Sequence, residues 1–208
     1  MNDIPSKPKK GRKYEQVLEG ARKVFMADGF EGASVDAIAR KAGVSKATLY
    51  SYFADKRSLF TKVACAECRR QADHAVATID LSAPVETVLR AAATELVEFI
   101  LSDFAQSVYR VCVGEADRFP DLGREFYKSG PQTAQDILAP YLDLAVSRGE
   151  LNISDTTFAA FQFSTLCKAD IFDKRVFGVK NGFTKAETNR VIDGAVTMFL
   201  AQYGVKSA

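Results

Sequence analysis

Tryptophan is absent from the 208 residues and histidine occurs once, at His74. A single histidine leaves no dyad for proton transfer, and no Gly-rich phosphate loop or dinucleotide fingerprint is present. Cysteine is sparse: Cys65, Cys68, Cys112 and Cys167 lie among apolar helical residues, without the dense spacing of a secreted disulfide scaffold. The pair Cys65-x-x-Cys68 would need two more ligands from elsewhere to hold zinc, and it lacks the βαβ setting of a thioredoxin-like site. These absences argue against an enzyme, a cofactor and a metal centre. No apolar run reaches bilayer length and none resembles a signal-peptide core, so the expectation is a soluble, cytoplasmic protein with no membrane partner. Alternating strand patterns and long internal repeats are also missing, which leaves an all-α chain.

Charge is nearly balanced, with 28 Lys and Arg against 26 Asp and Glu, and a net of +2 would not point to nucleic acid. Its distribution does. Residues 1–57 carry 12 basic and 7 acidic side chains, a local charge of +5, and the remaining 16 basic and 19 acidic leave −3. The opening residues 1–13 hold Lys7, Lys9, Lys10, Arg12 and Lys13 among Pro5, Pro8 and Gly11. They read as a flexible basic arm or a plain unstructured terminus.

From Ala33 to Phe60 the chain reads A-S-V-D-A-I-A-R-K-A-G-V-S-K-A-T-L-Y-S-Y-F-A-D-K-R-S-L-F. Ser34 is placed to cap a short helix whose Ile38 and Ala42, four apart, share one inward face. Ala39 is small enough for a close crossing, and Gly43 can end the helix in the left-handed conformation. Ser45 caps a second helix, on which Leu49 and Phe53 form an inward i, i+4 pair. Ala47 and Ser51 then face away, flanked by Thr48 and Tyr50, as the outer face of a helix-turn-helix would toward the major groove.

The segment L-Y-S-Y-F-A-D-K following A-G-V-S closely resembles the signature of the TetR/AcrR family of bacterial transcriptional regulators. That resemblance implies a three-helix DNA-binding domain over residues 14–62 and a ligand-binding and dimerisation domain over 63–208. It further implies a homodimer on double-stranded, palindromic operator DNA, with a small molecule as effector. Position by position, it makes Ser34 and Val35 backbone-phosphate contacts and puts Ser45, Lys46, Ala47, Thr48, Tyr50, Ser51 and Tyr52 on the recognition helix. Lys46 and Thr48 suit base-edge readout, whereas Tyr50 and Tyr52 suit phosphates and sugars. Lys56, at the start of the next helix, would add its charge to free N–H groups in holding a phosphate. Arg57 departs from the acidic residue common there, and either adds a phosphate contact or stays a solvated charge.

Helical periodicity fills the remainder. A first helix carries Val17, Leu18, Ala21, Val24 and Phe25 and stops at Gly29; a long connecting helix runs from Asp55 to Thr78. Further helices are expected around Val85–Ile100, Phe104–Glu115, Pro120–Gly130 and Ile137–Ala145, then over Asp155–Phe177, and a last one behind the capping-box pair Thr184 and Glu187. Phe99, Phe104, Tyr109, Cys112, Phe126, Tyr127 and Phe161 are candidates for the wall of an apolar effector cavity. By the resemblance, the last two helices pair with a second copy, with Phe163, Leu166, Val191, Ala195, Met198 and Phe199 as candidate contacts. The segment V-G-E-A-D-R-F-P-D-L-G-R-E-F-Y, followed by G-P, resembles the C-terminal domain of an efflux-associated branch of the family. A ligand-responsive repressor is the expected function. The alternative is a DNA-binding regulator controlled by cysteine redox state or a protein partner.

Overall fold

The computed structural model describes residues 11–205. Lys7, Lys9 and Lys10 of the expected basic arm lie outside them; Arg12 and Lys13 open the first helix. Eleven α-helices are present among the described residues: α1 (Arg12–Gly32), α2 (Val35–Ala42), α3 (Lys46–Tyr52), α4 (Lys56–Thr78), α5 (Val85–Leu101), α6 (Asp103–Gly114), α7 (Pro120–Ser129), α8 (Pro131–Ser147), α9 (Thr156–Leu166), α10 (Ile171–Val176) and α11 (Lys185–Tyr203). The only β pairing among these residues is a single antiparallel bridge, Leu151 to Gly204.

The helices form two compact units. One runs through Glu67 and includes Asp103–Phe126; the other comprises Cys68–Ser102 and the chain from Tyr127 onward. In the first, Val17, Ala21, Val24 and Phe25 of α1 close over Ile38, Leu49 and Phe53, because their spacing puts all four on one side of the helix. Phe60 sits at the centre, its ring 4.9 Å from Phe25, 4.9 Å from Phe30 and 6.4 Å from Phe104. Burying such a ring contributes roughly 1.5–3 kcal/mol. Gly29 ends the regular part of α1 with φ 69°, the conformation glycine adopts without steric cost, and the turn brings Phe30 back onto Phe60.

In the second unit Val88, Leu89, Ala93 and Val97 of α5 meet Leu138, Leu142 and Ala145 of α8, Phe163 of α9, and Ile192, Val196 and Phe199 of α11. Phe163 and Phe199 pack edge to face at 5.1 Å. Thr184 and Glu187 form the expected capping box at the start of α11. The expected helical stretch over Asp155–Phe177 is corrected: it is broken between α9 and α10. Asp170 takes φ 67°, which a right-handed helix cannot contain, and its carboxylate is held by Lys174 at 2.6 Å and Arg190 at 3.6 Å. Aspartate tolerates that backbone better than most residues because its short polar chain bonds locally.

Candidate nucleic-acid interface

The geometry of α2 and α3 follows from caps at three successive points. Ser34 Oγ accepts the Ala37 N–H at 3.1 Å and starts α2. Gly43, at φ 66°, ends it, with its N–H donating to Arg40 O at 3.2 Å and the Val44 N–H to Ala39 O at 3.1 Å. Ser45 Oγ then accepts the Thr48 N–H at 3.1 Å and starts α3. Both helices are short, eight and seven residues, so their stability comes from this capping and from packing rather than from length. Leu49 is fully buried beneath α3, and Tyr14 of α1 stacks on Phe53 at 5.4 Å. α1 comes close to α2 at Gly20, where an added Cβ would lie 2.6–2.7 Å from Ala42 Cβ, Cα and N. A bare backbone facing an alanine lets α1 and α2 meet there.

Packing one side of α3 leaves the other in solvent. Ser45, Lys46, Ala47, Tyr50 and Ser51 are exposed, Tyr50 by 49%, and Ser34 is exposed at the head of α2. Val35 and Thr48 are half-buried. The Thr48 hydroxyl lies 2.9 Å from Ser45 Oγ, and Ser51 Oγ donates to Thr48 O at 2.6 Å. The Ser51 proton is therefore committed to the helix backbone. Tyr52 packs half-buried with its ring edge-on to Tyr14 at 5.5 Å. Of the two tyrosines, Tyr50 is the one projecting outward.

Three cations have partners that spacing did not announce. Lys46 Nζ pairs with Asp36 Oδ1 at 2.6 Å, and this bond raises the lysine's pKa. Lys56 Nζ donates to Phe30 O at 2.8 Å and Ala33 O at 3.1 Å, and lies 4.5 Å from the centre of the Phe30 ring. It thereby ties the head of α4 to the junction of α1 and α2. Arg57 is half-buried, paired with Glu115 at 3.3 Å and lying 3.9 Å over the Phe119 ring. The reading of Arg57 as a solvated charge is corrected, because the guanidinium finds a carboxylate and an aromatic face just beyond α6.

The effector candidates are dispersed. Phe104 and Cys112 are buried in the apolar core of the first unit, where Tyr109 and Phe126 meet at 6.3 Å. Phe99 is half-buried on α5, while Tyr127 and Phe161 are 47% and 44% exposed. None of the seven lines a cavity of about 570 Å³ in the second unit, bounded by Val97, Glu98, Phe183, Lys185, Thr188 and Ile192 among others. No spacing rule joins α5 to the loop before α11, so sequence reasoning had no route to that cavity.

The dimer candidates need correction too. Phe163, Val191, Ala195 and Phe199 are 1%, 8%, 2% and 1% exposed within their own unit, leaving little surface to bury against a partner. Met198, 61% exposed, remains outward, with Leu166 half-buried. The outward apolar residues of α9 and α11 are Phe158, Phe161 and Met198, beside small Gly194 and Ala201. α9 carries apolar residues on two faces, whereas the exposed side of α11 is polar apart from Met198 and its small neighbours.

Cys65 is half-buried and donates to Glu125 O at 3.8 Å, Cys68 is buried, and burial pushes the Cys167 thiol up to about 12. His74 is exposed. Among the described residues no cluster of His, Cys, Asp and Glu could hold a metal ion, and no helix is long and apolar enough to cross a membrane.

Comparison with known proteins fits this arrangement. Residues 17–63 match the family of bacterial regulatory proteins described as the tetR family, and residues 87–205 match the AefR-like transcriptional repressor C-terminal domain. The repressor AcnR of Corynebacterium diphtheriae is 36% identical over 59 residues, which are 28% of this chain and 31% of that protein. The chain thus spans about a third of the length of this curated relative. Solved structures match along nearly the whole chain. A TetR-family regulator from Mesorhizobium loti is 28% identical with a TM-score of 0.77, over 95% of this chain and 100% of the other. The Flavonoid-responsive Regulator FrrA is 33% identical with a TM-score of 0.73, again over 95% and 100%. With a capped α2–α3 pair exposing one face of α3, and family matches over both halves, the chain belongs to the TetR family of DNA-binding transcriptional regulators, a non-catalytic family.

Proposed function

We propose that the protein is a ligand-responsive repressor that binds a palindromic operator as a homodimer and is released by a small, largely apolar effector. The observation that carries this reading is the exposed face of α3, held in place by Ser45 below and Leu49 behind. Lys46 and Thr48 are its base-reading residues; Tyr50, Ser34 and Val35 are its phosphate and sugar contacts. Ala47 and Ser51 offer close van der Waals approach. Two such faces, related by a two-fold axis, match two half-sites about one helical turn apart.

The effector reading rests on the relative named for its response to flavonoids and on the cavity beside α11. That cavity has an apolar floor in Val97 and Ile192 and polar groups in Glu98, Lys185 and Thr188, and its size suits a small ligand. The test is calorimetric titration of a flavonoid panel into the full chain, with and without a duplex it binds selectively. Coupling requires a ten-fold weaker affinity on the DNA-bound protein for each 1.4 kcal/mol of differential binding. Equal affinity in both states contradicts effector release and favours control through Cys65 or a protein partner.

A further inference from the structure

Asp36 lies in the first turn of α2 and Lys46 in the first turn of α3, so the turn at Gly43 folds their side chains together at 2.6 Å. Both are exposed, Asp36 by 68% and Lys46 by 55% in their side chains. An ion pair this accessible adds little to folding, because water screens it. Its placement is what matters. Asp36 is two residues from Ser34, on the strip proposed to meet phosphates, where a carboxylate repels DNA of any sequence. It also neutralises Lys46, the one cation of α3.

We propose that Asp36 is a specificity-determining positioning residue: by holding the Lys46 ammonium, it keeps that charge from gripping phosphates on arbitrary DNA while leaving it able to donate to a base edge. This rests on the reading of α3 as the recognition helix. An ammonium has three donors, so one can stay on Asp36 while another reaches a guanine O6 or N7. On a duplex with no acceptor at that position, the lysine remains neutralised and contributes nothing. Non-specific binding, which is almost wholly electrostatic, is therefore reduced more than operator binding.

The test compares two duplexes: one enriched by the full-length protein from a randomised library, the other its scrambled counterpart. Affinities are measured over a salt series for the wild type, Asp36→Asn, Lys46→Gln and the double variant. The expected result for Asp36→Asn is a scrambled-duplex affinity raised about five-fold, the size of one exposed ion pair. Its log K against log salt steepens by about 0.9 for each phosphate Lys46 newly contacts. Enriched-duplex affinity changes less, so selectivity falls; in the Lys46→Gln background the loss of selectivity disappears. An equal rise on both duplexes, the same with and without Lys46, overturns the proposal and leaves Asp36 as a plain repulsive charge. If the wild type enriches no sequence at all, the regulator reading fails and this inference with it. Asp36→Asn and Lys46→Gln remove no core contact, so folding is checked by unchanged helical circular dichroism.

Discussion

Gly20 and Lys56 show how much of the DNA-reading unit depends on single residues. Replacing a helical glycine by alanine ordinarily gains about 1 kcal/mol. At Gly20 the new methyl would lie 2.6–2.7 Å from Ala42, including its backbone, which cannot rotate away. Gly20→Ala is therefore predicted to destabilise by about 1–3 kcal/mol, read by urea unfolding; an unchanged or raised midpoint would contradict the packing. Lys56 donates to Phe30 and Ala33 carbonyls. Lys56→Ala is predicted to cost about 1–3 kcal/mol of stability, in addition to any loss of phosphate binding. A variant as stable as the wild type would return Lys56 to a purely DNA-facing role. From sequence this lysine read as a phosphate ligand, because position in a motif reveals which end of a helix a charge occupies but not which carbonyls lie beside it.

At the scale of helices, caps and single-faced patterns were legible, and two-faced helices were not. Ser34, Gly43, Ser45 and the Thr184–Glu187 box sit where local chemistry places them, since each bonds within a few residues of itself. For α9, Phe158 and Phe161 on one side and Ala159, Ala160 and Phe163 on the other leave the inward face ambiguous until the contact of Phe163 with Phe199 is known. Phe161→Asp and Met198→Asp are predicted to yield folded monomers in sedimentation at micromolar concentration, because these side chains are 44% and 61% exposed. Ala195→Asp, at a position only 2% exposed, is predicted to unfold the second unit instead. Dimers persisting in both surface variants would move the interface elsewhere.

The start of α11 also carries a pH dependence. Lys180 Nζ at 2.5 Å, the Thr184 N–H at 2.9 Å and Thr184 Oγ1 at 3.0 Å all donate to Glu187, the lysine most strongly, and hold its carboxyl down at about 2. A carboxyl with a depressed pKa stabilises the fold above the ordinary glutamate range near 4.3 and loses that contribution as pH falls toward 2. Glu187→Gln is predicted to flatten the fall in stability between pH 5 and 2, measured by urea titration at each pH. Parallel curves for the two proteins would remove Glu187 from the acid response.

For the whole molecule, the sequence-level expectations divide by the range of the interaction that realises them. The all-α architecture and the helix-turn-helix followed from local periodicity, and the family match extends over residues 17–63 and 87–205. Placement of Asp103–Phe126 with the DNA-reading helices did not, since it depends on contacts such as Arg57 with Glu115 and Lys62 with Glu125 across long stretches of chain. The effector wall was equally opaque: aromatic content says how much apolar surface exists, and only the fold says which rings are consumed by cores. The central claim is that two α3 faces read a two-fold symmetric operator. It is tested most directly by letting the full-length protein select duplexes from a randomised library and sequencing the enriched pool. The predicted result is an inverted repeat with half-site centres about 10–10.5 base pairs apart, or a multiple of that spacing, lost in Thr48→Ala at one position of each half; an unenriched pool, or a single asymmetric site, would contradict it.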